Sequence, residues 1–296
     1  MIKSYKGFNK DMTCRGFQYE IGKEYETSDE VKCCENGFHA CEYPLDCFGY
    51  YPPNESVYCE VEQDGQISKD GSDTKVSSSK IKIGAQLDIA GLVKASFEFV
   101  KLKADKSNSN YSEVDKNLNE SVGNGSANSA TGNRSANSAT GDRSANSATG
   151  DGSANSATGD GSANSATGYG AANSATGYGS ANSATGDRSA NSATGDGSAN
   201  SATGYGAANV TTGTESKNDG MGQANISVGW GKDNKCKGCI GSYLVISEWG
   251  DWDGEKYPLI CAQMVMIDGE TIKADTYYML KEGKIIEAED ENLCEE

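Results

Sequence analysis

The stretch richest in side chains able to bind metal or attack a carbonyl is Cys33-Cys34-Glu-Asn-Gly-Phe-His39-Ala-Cys41. Cys14 precedes it and Cys47 follows. Thiolates and a neutral imidazole are zinc ligands, and a structural zinc site needs four that converge. Cys34, His39, Cys41 and Cys47 are the candidates, but their spacing, C-x4-H-x-C-x5-C, matches no common zinc knuckle. The same residues suggest a nucleophilic cysteine, which needs a base. His39 is the only histidine in the chain. Two residues from Cys41, it would share a strand face with it, yet no group to orient the imidazole can be identified. Cys236-Lys-Gly-Cys239 is a second pair, with only Cys261 and Cys294 beyond it and no partner pair at ribbon spacing. The expectation is buried structural thiols, with no catalytic residue, metal or cofactor.

Other chemistry-bearing side chains recur at a fixed period. Asp142, Asp151, Asp160, Asp187 and Asp196, with Tyr169, Tyr178 and Tyr205, each follow a glycine in a nine-residue unit. Exposed tyrosines and carboxylates on a rigid support are candidate interaction residues; the alternative is ordinary capping of a corner. The calcium-binding nonapeptide needs an Asp and a large apolar residue at fixed offsets. Here the Asp sits at a corner with no large apolar residue after it, so calcium is not expected.

The unit reads [SA]-A-N-[SV]-[AT]-T-G-x-x, and ten contiguous copies begin at Ser126 and end with the one at Ala207. A flexible linker would share this composition. It has no reason to keep phase into its flanks. Asn117–Gly125, Ala207–Glu215 and Gln223–Gly231 nevertheless place Leu118, Val122, Val210, Ala224, Ile226 and Val228 at even positions. Alternation with period two marks a strand with one buried face. The expectation is a parallel β-solenoid with Ala, Ser and Thr at positions 2, 4 and 6 inward and Ser, Asn and Ala at 1, 3 and 5 outward. Gly-x-x makes the corner. A chain that must return needs two units per coil, which predicts about five coils and a regular rod about 24 Å long. An ice-binding face would want threonine rows outward, and this register turns them inward.

Three segments follow: an α+β domain over 1–106, the solenoid over 107–235 with regular repeats at 126–213, and a β-hairpin cap over 236–296. Large apolar residues lie almost wholly in the two ends, with all ten cysteines and all four prolines. Phe17–Ile21 and Val57–Val61 alternate like half-buried strands. Ile89, Leu92, Val93, Ser96, Phe97 and Val100 fit one helix face. The segments Tyr243–Trp249, Leu259–Ile267 and Thr276–Leu280 carry hairpin signals, and Lys281-Glu-Gly-Lys284 reads as a turn. Residues 106–110 read as a short joint into the solenoid.

The net charge is −17, divided as −6 over 1–125, −2 over 126–213 and −9 over 214–296. Such acidity argues against holding a phosphate backbone and favours solubility, basic partners or mimicry of a polyanion. MIKSYKGFNKDM has no apolar core segment and no stretch approaches a membrane span. With so many cysteines, the expectation is a reducing, cytoplasmic setting.

In composition the repeats resemble the heads of trimeric autotransporter adhesins, whose repeat is longer. The chain more closely resembles a family of unknown function found in bacteriophages, prophages and Firmicutes-type bacteria. The resemblance rests on Tyr5-Lys-Gly-Phe8, Cys14-Arg-Gly-Phe17, Gly37-Phe-His-Ala-Cys41, Pro44-Leu-Asp46 and Tyr50-Tyr51. It continues through the nonapeptides to Glu248-Trp249 and Asp275-Thr-Tyr-Tyr-Met-Leu280. It implies an accessory protein of a virus or mobile element and carries over no activity. The functional expectation is a non-enzymatic protein that binds and blocks a host protein, such as a nucleic-acid-handling defence factor. The alternative is a structural spacer or a self-assembling, homo-oligomeric fibre or particle component.

Overall fold

Each Ala-Asn-Ser-Ala-Thr run is a five-residue strand, and Gly-x-x turns the chain into the next. Strand Ala127–Thr131 pairs in parallel with Ala145–Thr149, and Ala136–Thr140 with Ala154–Thr158. Every residue therefore meets its copy eighteen positions on, and alternate units build two opposed sheets. This computed structural model describes residues 1–69, 74–103, 109–112 and 118–288. About half of the chain, 52%, is strand and 6% helix, with about seven solenoid turns over residues 118–246. Two units per coil is the smallest closure the strand length allows, and it is the one adopted.

The phase is opposite to the one expected. Asn128, Asn146, Asn164, Asn182 and Asn200 are fully buried, as are Ala130, Ala148 and Ala166 beside them. Thr131, Thr140, Thr158 and Thr167 face outward and are exposed. The reason is hydrogen-bond capacity. Asn164 donates through Nδ2 to the carbonyl of Ser174 in the opposite sheet at 2.6 Å and to Asn182 Oδ1 at 3.1 Å. Its own Oδ1 accepts from Asn146 at 3.1 Å. Both amide hydrogens and the oxygen are thus used, and the amide ties the two sheets together as well as adjacent coils. Burial is favourable only when every such group is paired. A unit whose largest apolar side chain is Ala gains little by burying Thr instead. The apolar flank residues follow the same phase outward: Leu118 is 58% exposed and Val122 77%.

Position 7 must be glycine for a steric reason. A Cβ on Gly168 would lie 2.4 Å from the Gly150 carbonyl oxygen one coil below, at a φ of +143°. Inward serines close several corners: Ser144 Oγ donates to the Gly141 carbonyl at 2.6 Å.

The N-terminal unit comprises β1 (Ile2–Asn9), β2 (Thr13–Cys14), β3 (Phe17–Gln18), β4 (Glu24–Glu26), β5 (Phe38–Cys41), β6 (Ser56–Lys69), β7 (Lys75–Leu87) and α1 (Ile89–Lys103). The main sheet has the order β4-β7-β5-β1-β6, and β6 also pairs with β7, closing a small ring. Phe8, Tyr19, Val61, Ile81 and Ile83 fill its interior. The strand expected at Phe17–Ile21 is only the short β3, paired with β2 in a hairpin; Ile21 is 52% exposed. The strand expected at Val57–Val61 lies within β6. On α1, Ile89, Leu92, Val93 and Ser96 are buried; the side chains of Phe97 and Val100 lie outside the described residues, as do residues 106–108 of the joint, the acidic tail from 289, and Cys294.

In sequence this unit precedes the rod, but in space it lies along the rod's side. The outward Ala127, Ala145, Ala163, Ala181 and Ala199 of one sheet join a single core with Tyr43, Leu45, Phe48, Tyr58, Ile89, Leu92 and Val93. Tyr43 donates to the Gly161 carbonyl at 2.5 Å, and Arg143 Nε bonds Asp46 at 3.0 Å. Small outward side chains let the helix and the Tyr43–Tyr50 region settle on the strands. At the far end, Leu244, Ile246, Ile267, Tyr278 and Leu280 close the rod with Cys236. The expected hairpin strands appear as Tyr243–Trp249 with Leu259–Met266 and Tyr278–Lys281 with Lys284–Glu287.

Candidate functional site

Two regions offer functional surface, a cleft in the N-terminal unit and the outer face of the uncovered sheet. The cleft has a volume of about 640 Å3 and opens between β1, the β2–β3 hairpin, β5 and the Cys34–Gly37 turn. Gly7 shapes its wall: a Cβ there would lie 2.6 Å from Tyr51 Cβ, so only glycine lets that ring pack against β1.

Cys34, His39, Cys41 and Cys47 all border this cleft, together with Cys14. They do not converge as a ligand set. His39 Nε2 accepts the backbone N–H of Cys34 at 2.9 Å, which puts the ring proton on Nδ1. Cys47 is buried and its thiol donates to the Tyr5 carbonyl at 3.1 Å. Among the described residues, no group of three or more His, Cys, Asp or Glu side chains is placed to hold a metal ion. Cys236 is buried at the far end of the rod, where desolvation pushes its thiol up to about 12.

The cleft's electrostatics are cationic. Burial lowers the His39 pKa below its ordinary value, and the charges of Lys6, Arg15 and Lys75 push it the same way. Lys6 is 5% exposed, and its Nζ lies 2.9 Å from the His39 carbonyl and 3.3 Å from Cys14 Sγ. Lys75 Nζ bonds Tyr50 Oη at 3.1 Å. Reading for metal ligands missed these three cations. A signal was present, since Lys6 and Arg15 stand inside the Tyr5–Phe8 and Cys14–Phe17 motifs.

On the rod, the corner aspartates act along the stack. Asp142, Asp151, Asp160, Asp187 and Asp196 each accept, through Oδ1, the backbone N–H eighteen residues on. Tyr178 stands on the corner facing the N-terminal unit, where a Cβ on Gly49 would touch its ring at 4.0 Å. Burial, with Glu215, Asp196 and Asp160 nearby, holds its hydroxyl above the ordinary range. Tyr169 and Tyr205 share the other corner; Arg188 lies over the Tyr169 ring at 5.5 Å.

The sheet that the N-terminal unit leaves uncovered presents outward rows of Ala, Ser and Thr from strands Ala136–Thr140 to Ala208–Thr212, with Val210 ending the serine row and no charged side chain. Toward the cap the same face turns apolar. Ile226 and Tyr243 continue the alanine row, and Tyr243 pairs with Met266 and Val245 with Met264 on the neighbouring strand. Tyr243 is 41% exposed and Met264 65%. Strand Leu259–Met266 is the last of its sheet. Outward threonines also remove the ground on which an ice-binding face was set aside.

The architecture is thus a two-sheeted parallel β-solenoid carrying a small mixed domain on one flank. Residues 2–95, which form nearly all of that domain, match DUF7666, a domain of unknown function. No curated protein and no solved structure matches the chain. No helix among the described residues is long and apolar enough to cross a membrane.

Proposed function

We propose that the chain is a non-enzymatic accessory protein of a phage or mobile element that binds and blocks a host protein, using the open face of its solenoid. The observation that supports this reading is the outer face of the open sheet, uncharged from strand Ala136–Thr140 to strand Ala208–Thr212 and ending in exposed Ile226, Tyr243, Met264 and Met266. A contiguous exposed apolar patch beside a polar surface is the ordinary mark of a protein interface. The stack behind it, bonded from coil to coil, holds the face rigid, which lowers the entropic cost of binding. The charges of the regular repeats, residues 126–213, stand at the corners, so mimicry of a polyanion falls to the acidic ends. Cytoplasmic residence of the host target belongs to the same proposal.

The test compares capture from host lysate by the native chain and by Met264→Asp, at low and high salt. A defined partner held by the native chain at both salts and lost with M264D supports the reading. No partner at either salt, or one that M264D retains, overturns it. A second reading, self-assembly into a fibre or spacer, is favoured by the terminal position of strand Leu259–Met266. An unpaired edge recruits further strands. Sedimentation that shows only monomers over a wide concentration range removes it.

A further inference from the structure

We propose that the cleft of the N-terminal unit binds a small anion of the nucleotide class, with a phosphate held among Lys6, Arg15 and Lys75 and a planar ring on the aromatic wall. Lys6 lines the cleft. Its ammonium is buried, with a carbonyl and a thiol as hydrogen-bond partners and the Phe8 and Tyr19 rings at 5.4 and 5.5 Å. No carboxylate lies within ion-pair distance of Lys6 or Arg15 among the described residues. A buried charge is ordinarily paired, because its desolvation is otherwise uncompensated. An ammonium has three donors and Lys6 uses two. The third is available to a ligand.

The surrounding charges point the same way. Lys75 lies 4.4 Å from the Tyr50 ring centroid at the cleft wall. The acidic groups at the rim are largely committed elsewhere: Glu26 pairs with Lys80 at 3.1 Å and Glu35 with Lys32 at 2.5 Å. Asp29 is the third acidic residue of the lining. Lys6 and Arg15, with Lys75 beside Tyr50, face Asp29 as the one lining carboxylate without a lysine partner, which makes this a positive hollow in a chain of net charge −17. The wall adds a preference for a ring. Phe17, Tyr19 and Tyr25 meet edge to face, and Phe17 is 45% exposed. Aromatic faces take planar bases, and a cleft of this volume suits a small organic ligand. Inorganic phosphate would satisfy the cations and leave that wall bare.

The chain's single histidine makes the test direct, because the imidazole resonance of His39 is the only one in the spectrum. AMP, inorganic phosphate and adenosine are each titrated against the full chain, with NMR and calorimetry as readouts. AMP is expected to shift the His39 signal saturably and to bind more tightly than either fragment. Arg15→Gln, an exposed change, is expected to weaken AMP by roughly tenfold, the loss of one charge-assisted contact, with unchanged thermal unfolding. Lys6→Met is expected to weaken it further. Phosphate binding as tightly as AMP overturns the nucleotide class, and adenosine doing so overturns the anion site. No saturable shift with any of the three overturns the proposal.

Discussion

At the scale of the residue, the asparagine at position 3 of each nonamer holds the rod together. It is the one side chain in the unit with both donors and an acceptor on a reach that spans the two sheets. Asn164→Ala would strip Asn146 of its acceptor and leave Asn182 Oδ1 and the Ser174 carbonyl without their donor. Orphaned buried groups cost about 1–3 kcal/mol each, so N164A is expected to lower stability by about 3 kcal/mol or more in urea unfolding. Thr167→Ala, three residues on and outward, should cost about 0.5 kcal/mol or less. Equal losses would show the phase to be otherwise. The alternation was legible in the sequence and its direction was not. Polarity alone sends Asn outward; only the axial neighbour at i+18 and the carbonyl at i+10 make its burial favourable.

At the scale of the element, identical strands lie in different surroundings. Ala163 is 1% exposed beneath the N-terminal unit, while Ala172, the same position of the next nonamer, faces solvent. Ala163→Leu should therefore overpack the helix–sheet seam, at about 1–3 kcal/mol. Ala172→Leu is expected to stay within about 0.5 kcal/mol. Matching thermal melts of the two variants would count against side docking. The strands, the helix at Ile89–Lys103 and the hairpins near the cap announce themselves by period and turn residues. The cleft was half legible: the Cys34, His39, Cys41 and Cys47 cluster does border it. Its cations arrive from β1, the β2–β3 hairpin and β7, which only the folded ring brings together.

At the scale of the molecule, the solenoid has an eighteen-residue translational symmetry that the flanking unit and cap must respect. Deleting one full coil, residues 180–197, shortens the rod and returns every later strand to its own sheet. Deleting nine, residues 180–188, moves all later strands to the opposite sheet. Both deletions move Asp233 and Lys235 away from Asn54 and Glu55, by one coil in the first and to the other sheet in the second. The first variant is expected to remain a monodisperse β protein with a lower Tm. The second should aggregate or lose its cooperative melt, as read by circular dichroism and size exclusion. Repeat arrays tolerate loss of whole units because each coil meets only its neighbours.

The repeat alone settled that the chain coils, that nine residues make a strand and a corner, and that two such units return it to register. Identical asparagines stacked at a constant interval bond one another from coil to coil, so local spacing is enough. The choice of inner face belonged to the tertiary structure, because a two-residue period looks the same from either side until partners are supplied from other coils. So did the seat of the N-terminal unit. It depends on contacts such as Tyr43 with Gly161 and Asp46 with Arg143, about a hundred residues apart, and no local pattern encodes which alanines will be covered.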